Sequence, residues 1–317
     1  MKYKVLVTPR TFAASSDAPL RLLEESDCDV IRNPYGRMLT EEELAAMARD
    51  VDGIIVGLER MSREVILAAG RLRVISKYGV GLDNIDLEAA QARGITVTYT
   101  PESNSEAVAD LTMGLVLACA RQIPLADRSV RAGEWRKFVG SAVWGKTIGV
   151  VGVGHIGREV VRRARGFNMQ ILCHDKIEDE RFAAENGAAY TCLDVLLENA
   201  DFVTLHLPLT DETRGLIAGK ELSRMKRTAF LINTARGEIV DEDALYRALT
   251  RGEIAGAALD VFHHEPPEGS RLLELDNVIL TPHIGGHTDE AITEMGCKAS
   301  QNVIAVLRGM SPDAVAW

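Results

Sequence analysis

The sequence predicts an α/β fold with two doubly wound units, one of them split by the other. Three observations carry that reading. Short apolar runs alternate with helical apolar spacing along the whole chain, a glycine-rich turn sits near the middle, and a last helical segment has no neighbour in sequence to pack on. Aromatic residues make up only 5% of the chain, while Val, Ile, Leu, Ala and Gly are plentiful, a balance that suits buried parallel strands covered by helices. At 317 residues the chain is long enough for two cores.

The elements follow in order. Lys4–Thr8, Cys28–Arg32, Gly53–Gly57, Arg73–Ser76 and Ile95–Tyr99 read as strands. Between them Ala18–Glu25, Glu41–Arg49, Arg63–Ala69 and Leu87–Ala92 read as helices, the second behind Thr40 with Glu43 three positions on, the pattern of a capping box. An apolar helix over Ser105–Arg121 connects to a second series. Its strands fall near 147–152, 170–174, 202–205, 229–232, 256–260 and 278–280, and its helices near 157–166, 178–186, 193–198, 219–225 and 241–251. His287–Arg308 then shows helical spacing through Ile292, Met295, Val303, Ile304 and Leu307. If this helix returns to the first series, the domains are residues 1–101, 102–285 and 286–317, the middle one inserted into a discontinuous outer one.

The most informative stretch is the apolar run Thr147–Val151 leading into Gly152, Gly154 and Gly157, with a second strand ending in Asp175 about eighteen residues past the last glycine. Gly152 suits the tight turn, Gly154 the close approach of a pyrophosphate and Gly157 the packing of helix on strand, which is the Rossmann pattern for a dinucleotide. The exposed N–H groups and positive end of the helix attract phosphates. Asp175 can accept both ribose hydroxyls.

Polar residues follow three late strands in succession. Arg236 lies in Asn233-Thr234-Ala235-Arg236-Gly237, Glu265 in Phe262-His263-His264-Glu265-Pro266, and His283 in Thr281-Pro282-His283-Ile284-Gly285-Gly286. Ligands of doubly wound sheets bind at the carboxyl ends of the strands. Hydride transfer to a carbonyl needs a proton donor at the developing alkoxide, and imidazole serves both directions near neutral pH. A carboxylate on its other nitrogen sets the tautomer, and a guanidinium offers two parallel bonds to a substrate carboxylate. Singly, each has a plainer reading: a surface ion-pair arginine, a loop acid before prolines, a turn histidine.

Together these stretches, with Leu259-Asp260-Val261-Phe262, resemble the D-isomer-specific 2-hydroxyacid dehydrogenase family, and Lys77-Tyr78-Gly79-Val80-Gly81-Leu82-Asp83-Asn84-Ile85-Asp86 resembles its phosphoglycerate dehydrogenase branch. The resemblance implies an NAD-binding Rossmann domain inserted into a discontinuous substrate domain, with a hinged cleft. It implies His283 as acid/base, Glu265 as its orienting partner and Arg236 as the carboxylate and carbonyl anchor. Val80, Gly81 and Asn104 would help hold the substrate. Gly152, Gly154, His155, Ile156, Gly157, Asp175, Leu207, Pro208, Thr234, Asp260 and Gly286 would hold NAD. A homodimer through the NAD-binding domain is usual in the family.

Two departures matter. The loop where phosphoglycerate dehydrogenases carry a phosphate-binding arginine reads Val56-Gly57-Leu58-Glu59-Arg60-Met61. Glycine stands at that position; Arg60 or Lys77 are the available cations, and Glu59 would repel a phosphate dianion. The sequence also ends at Trp317, so regulation through a C-terminal domain is not expected. His287 reads as a surface residue at a helix start, or else as a second histidine of the cleft.

The formal charge of -10 argues against nucleic acid and anionic membranes as partners, and the arginines at 158, 162, 163 and 165 read as a solvated helix face. The five cysteines form no C-x-x-C pair and suit a reducing compartment rather than a disulfide framework or a zinc site, with Cys119 and Cys173 in the core. The N-terminus reads as a strand rather than a signal segment, and no run reaches about 18 apolar residues. The expectation is a soluble, cytoplasmic, metal-free oxidoreductase using NAD on a small D-2-hydroxyacid or its 2-keto acid. Hydroxypyruvate and glyoxylate reduction, oxidation of a phosphonate-type substrate and an NAD-sensing corepressor-type binding role are the alternatives.

Overall fold

The computed structural model describes residues 2–317. Its chain divides into two compact units: unit 1 is the segment up to Asn104 together with Gly286–Trp317, and unit 2 is Ser105–Gly285. The first crossing therefore lies at Asn104 rather than at Pro101. Ser103 Oγ donates to Thr100 O at 2.7 Å, and Asn104 packs on Gly286, so the turn after the last strand stays with unit 1.

Unit 1 alternates β1 (Tyr3–Val7), α1 (Ala18–Glu24), β2 (Cys28–Arg32), α2 (Glu41–Ala48), β3 (Gly53–Val56), α3 (Arg63–Ala68), β4 (Val74–Lys77), α4 (Leu87–Ala92) and β5 (Thr96–Thr98). All pairings are parallel, in the order β2-β1-β3-β4-β5. The helices start where side chains replace missing backbone partners: Thr40 and Glu43 form a reciprocal capping box, while Ser62 and Asp86 accept from the third residue of their helices. One face of the sheet buries Leu6, Ile54, Val56 and Ile75 against Leu44, Val65, Ile66 and Ala89.

Unit 2 opens with α5 (Ser105–Arg121) and α6 (Ile123–Arg131), then runs β6 (Thr147–Val151), α7 (His155–Gly166), β7 (Gln170–His174), α8 (Glu180–Asn186), β8 (Ala188–Tyr190), α9 (Leu193–Asn199), β9 (Phe202–Leu205), α10 (Gly219–Arg224), β10 (Phe230–Asn233), α11 (Glu242–Thr250), β11 (Gly256–Leu259) and β12 (Val278–Leu280). Its seven strands are parallel in the order β12-β11-β10-β9-β6-β7-β8. One core lies around Leu196, Leu205, Leu231 and Leu245, the other around Met113, Val116, Ile148 and Val160. Cys119 and Cys173 are buried there, and burial pushes both thiols up to about 12.

The chain then re-enters unit 1 through α12 (Asp289–Leu307), capped by Thr288. Tyr78 Oη donates to Ile292 O at 2.9 Å, Ser300 Oγ to Pro19 O at 3.0 Å and Asn302 Nδ2 to Tyr99 O at 3.1 Å. These bonds tie α12 to the ends of β4 and β5 and to α1. The fold is thus two doubly wound α/β domains, the Rossmann-like one inserted into a discontinuous partner.

Two elements were not anticipated. Helix α6 follows Gln122, whose φ of 52° puts it in the left-handed region, and it buries only Ser129, so its apolar spacing marks no core face. Strand β8 has three residues at the sheet edge, too short for an alternation to register.

Gly149, inside β6, lies where a Cβ would fall 2.3 Å from Leu196 Cδ2 and 3.1 Å from Ala200 Cβ. Gly149→Ala is therefore expected to destabilise unit 2 by about 1–3 kcal/mol, the usual cost of overpacking, read as a lower chemical-denaturation midpoint. An unchanged midpoint would show that α9 yields without cost.

Candidate active site

The order of strands in unit 2 reverses between β6 and β9, and the crevice at their carboxyl ends is where doubly wound sheets bind ligands. The glycine loop follows β6. Gly152 has φ +93°, and a Cβ there would come within 2.8 Å of the His206 backbone. A Cβ on Gly157 would lie 2.0 Å from Gly152 O, so α7 can sit this close to its strand only with glycine. Gly154 faces open space and caps α7 without a side chain, with the exposed His155 and half-buried Ile156 in the first turn of the helix. Asp175, just past β7, accepts from Val153 N at 2.6 Å and from Ile177 N at 3.1 Å, which holds it beside the loop with lone pairs remaining for hydroxyls. Leu207 and Pro208 follow β9, and Leu207 Cδ2 lies 3.0 Å from where a Gly152 Cβ would stand.

His206 was not singled out from the sequence. Both of its ring nitrogens are buried without a hydrogen-bond partner, and burial drops its pKa to about 3, so the ring is neutral at neutral pH. An orphaned pair of polar atoms next to the glycine loop is what a bound group would satisfy. The available signal was a polar residue closing the apolar run of β9 at the carboxyl end of the sheet. Cradle, helix start, acid and orphaned imidazole together fit a dinucleotide.

Three loops on the neighbouring strands carry the polar set. After β10, Asn233 Oδ1 accepts from Ala235 N at 3.0 Å and its Nδ2 donates to Arg236 O at 2.8 Å, shaping the turn that presents Arg236. The guanidinium braces itself on Ala235 O through Nη1 at 2.7 Å. Thr234 turns its hydroxyl inward to Thr112 Oγ1 at 3.0 Å.

After β11, the buried Asp260 collects the loop after β12. Its Oδ1 accepts from Thr281 Oγ1 at 2.6 Å and Ile284 N at 2.9 Å, and its Oδ2 from Gly285 N at 2.8 Å. That loop holds His283 at φ 53°, an uncommon conformation for a residue with a Cβ. His283 Nδ1 meets Glu265 Oε2 at 2.6 Å, and Glu265 Oε1 accepts from Phe262 N at 3.2 Å. Both side chains are 27% exposed, so the pair is sheltered yet reachable. Unit 2 therefore joins His283 directly to Glu265, and sets Arg236 at the end of the adjacent strand β10. Among the described residues no group of His, Cys, Asp or Glu is arranged to hold a metal.

Arg162 and Arg165 of α7 are exposed as expected, but Arg158 and Arg163 are less solvated. Arg163 pairs with Glu106 at 2.5 Å and Asp110 at 2.6 Å, bracing α7 on α5. Arg158 pairs with Asp179 at 2.8 Å and stacks 4.5 Å from the centre of the Phe182 ring.

Val80, Gly81, Asn104 and Gly286 belong to unit 1. Thr100 pins the turn before Val80 by accepting from Gly79 N at 3.0 Å and donating to Gly79 O at 3.1 Å. Val80 is exposed beyond it, and the buried Asn104 Oδ1 has no hydrogen-bond partner. His287 is exposed just before the Thr288 cap.

Residues 113–285 match the model of the D-isomer specific 2-hydroxyacid dehydrogenase NAD binding domain. A glyoxylate reductase of Pyrococcus furiosus is 44% identical over 322 residues, covering 98% of this chain and 94% of that one. A D-3-phosphoglycerate dehydrogenase of Methanocaldococcus jannaschii is 46% identical over 275 residues, covering 86% of this chain and 52% of its own length, so the chain spans about half of that relative. The crystal structure of a D-lactate dehydrogenase from Aquifex aeolicus, complexed with NAD and lactic acid, superposes with a TM-score of 0.83 at 30% identity over 96% of each chain. The chain therefore belongs to the D-isomer specific 2-hydroxyacid dehydrogenase family, as an NAD-dependent oxidoreductase whose unit 2 is the family's NAD-binding domain.

Proposed function

We propose that this protein interconverts a small 2-keto acid and its D-2-hydroxyacid, with His283 as the proton donor and acceptor. The observation that carries the reading is the 2.6 Å contact between His283 Nδ1 and Glu265. With Nδ1 donating to the carboxylate, Nε2 is the nitrogen that gives a proton to the alkoxide formed from the carbonyl, and takes it back in the reverse direction. Glu265 is itself held by the Phe262 N–H, so the imidazole keeps one tautomer and one orientation. The Arg236 fork binds the substrate carboxylate and polarises the neighbouring carbonyl. When bound, NADH supplies the hydride. Asp175 selects NAD over NADP because its carboxylate would repel a 2′-phosphate, while Lys176 is drawn away to Glu212. Glycine-loop backbone, the α7 start, Leu207, Pro208, Thr234 and Asp260 would hold the cofactor.

Relatives named glyoxylate reductase support an acid of glyoxylate or hydroxypyruvate size, and the relative named D-3-phosphoglycerate dehydrogenase supports a longer, phosphorylated one. A homodimer through unit 2 is supported by the segment after α6, where Trp135, Val139 and Trp144 are 80%, 89% and 71% exposed. The five free cysteines support a reducing, cytoplasmic setting, and the charge of -10 supports partners other than nucleic acid or membrane.

His283→Ala is expected to lower turnover of glyoxylate or hydroxypyruvate by on the order of 10²–10⁴-fold with NADH affinity retained. Stopped-flow reduction and NADH fluorescence titration check this, and wild-type turnover would remove His283 from the chemistry. In steady-state kinetics NADH should far outperform NADPH, and Asp175→Ala should narrow that preference by on the order of 10- to 100-fold. Replacing Trp135 and Trp144 together by serine should convert a dimer into a monomer by light scattering. A wild-type monomer would end the dimer proposal.

A further inference from the structure

Three cations lie on α7 and on the turn after β7, the elements that frame Asp175, and each is engaged by an acid. Lys176 pairs with Glu212, Arg162 with Glu159, and Arg158 Nη2 with Asp179 Oδ2 at 2.8 Å. Lys176 and Arg162 are exposed, whereas Arg158 is half-buried and tied to the glycine loop. Its Nε donates to Val153 O at 3.3 Å, and the N–H of that same residue donates to Asp175 Oδ2 at 2.6 Å. The two side chains therefore meet at one buried residue, and all of these groups lie within unit 2. Burial pushes the Tyr190 hydroxyl up, and the charges of Arg158 and Asp175 both act on it, so the three share one corner.

Arg158 is held there from two further sides. Its guanidinium lies 4.5 Å from the centre of the buried Phe182 ring. Asp179 caps α8, where its Oδ1 accepts from Phe182 N at 3.0 Å, while its Oδ2 takes the Arg158 bond. The Phe182 amide first, and Arg158 second, hold the Asp179 carboxyl below its usual range. One carboxylate thus serves as cap and as clamp, with a different oxygen for each.

We propose that Asp179 is a second determinant of cofactor choice: by keeping Arg158 engaged, it denies a 2′-phosphate the guanidinium next to Asp175. The inference rests on the reading of Asp175 as the ribose acceptor and deepens it. A free guanidinium fork binds a phosphate through two parallel bonds, so preference for NADH depends on the clamp as well as on repulsion by Asp175. Asp179→Asn keeps the cap, because an amide oxygen serves there as well as a carboxylate oxygen. It also turns the other oxygen into a donor facing the guanidinium, which releases Arg158.

The test measures Kd for NADH and NADPH by fluorescence titration in the wild type, Asp179→Asn, Arg158→Gln and the double variant, with thermal melting to check folding. Asp179→Asn should tighten NADPH binding by about tenfold and leave NADH binding within about twofold. Asp179→Ser, which also caps α8 but is too short to reach the guanidinium, should give the same gain. Arg158→Gln alone should leave the ratio of the two affinities near that of the wild type, and the double variant should lose the gain. A merely structural role for Asp179 would weaken both cofactors alike. That outcome, unchanged NADPH affinity in both Asp179 variants, or a gain that persists without Arg158 overturns the inference and leaves the reading of Asp175 standing. Equal affinity of the wild type for the two cofactors overturns that reading and the inference with it.

Discussion

The carboxylate of Asp260 is the constraint on which the polar site of unit 2 depends. It is buried, and it gathers the Thr281 hydroxyl and the Ile284 and Gly285 amides into one set of charge-assisted bonds. Those bonds stabilise a turn in which His283 adopts a positive φ, a conformation that needs such support. Only with the turn held does the imidazole reach Glu265, which the Phe262 amide holds in turn. The same residue thus links the end of β11 to the end of β12 and so brings His283 and Glu265 together.

A second principle is shared by both units. Each sheet is parallel, each changes direction once, and each gathers polar groups at the carboxyl ends of the two strands flanking that change. In unit 2 those groups are glycine amides, a helix start and an orphaned neutral histidine, which suit phosphates and a flat polar ring. In unit 1 they are a clamped carboxylate, an engaged ammonium and a threonine. The backbone plan is common, and the side chains at the two crevices differ in chemistry.

Much of this was legible in the chain. Strands such as Gly53–Val56 and Phe202–Leu205 follow the expected runs because buried parallel strands are apolar on both faces. The helix start at Thr40 was marked by its capping box. The misses share one cause, namely that their determinants are not local. Strand β8 exists because β7 offers an edge to pair with. Arg158 and Arg163 of α7 resemble part of a solvated face until α5 and α8 bring Glu106, Asp110, Asp179 and Phe182 against them. His206 shows no motif of its own, and its isolation appears only when its neighbours leave its nitrogens without partners.

The division follows from the range of the forces involved. Local rules were enough for the alternation of elements, the glycine spacing that a pyrophosphate requires, the acid after the second strand, and the three residues that close consecutive late strands. Those are matters of periodicity, backbone freedom and chain direction, which neighbours in sequence decide. The tertiary structure alone decided that Asp260 organises the histidine turn and that Glu59 lies buried against Thr8, 51 positions away. Hydrogen bonds of that kind join residues distant in sequence, so their partners are chosen by strand order and packing, which no local pattern records.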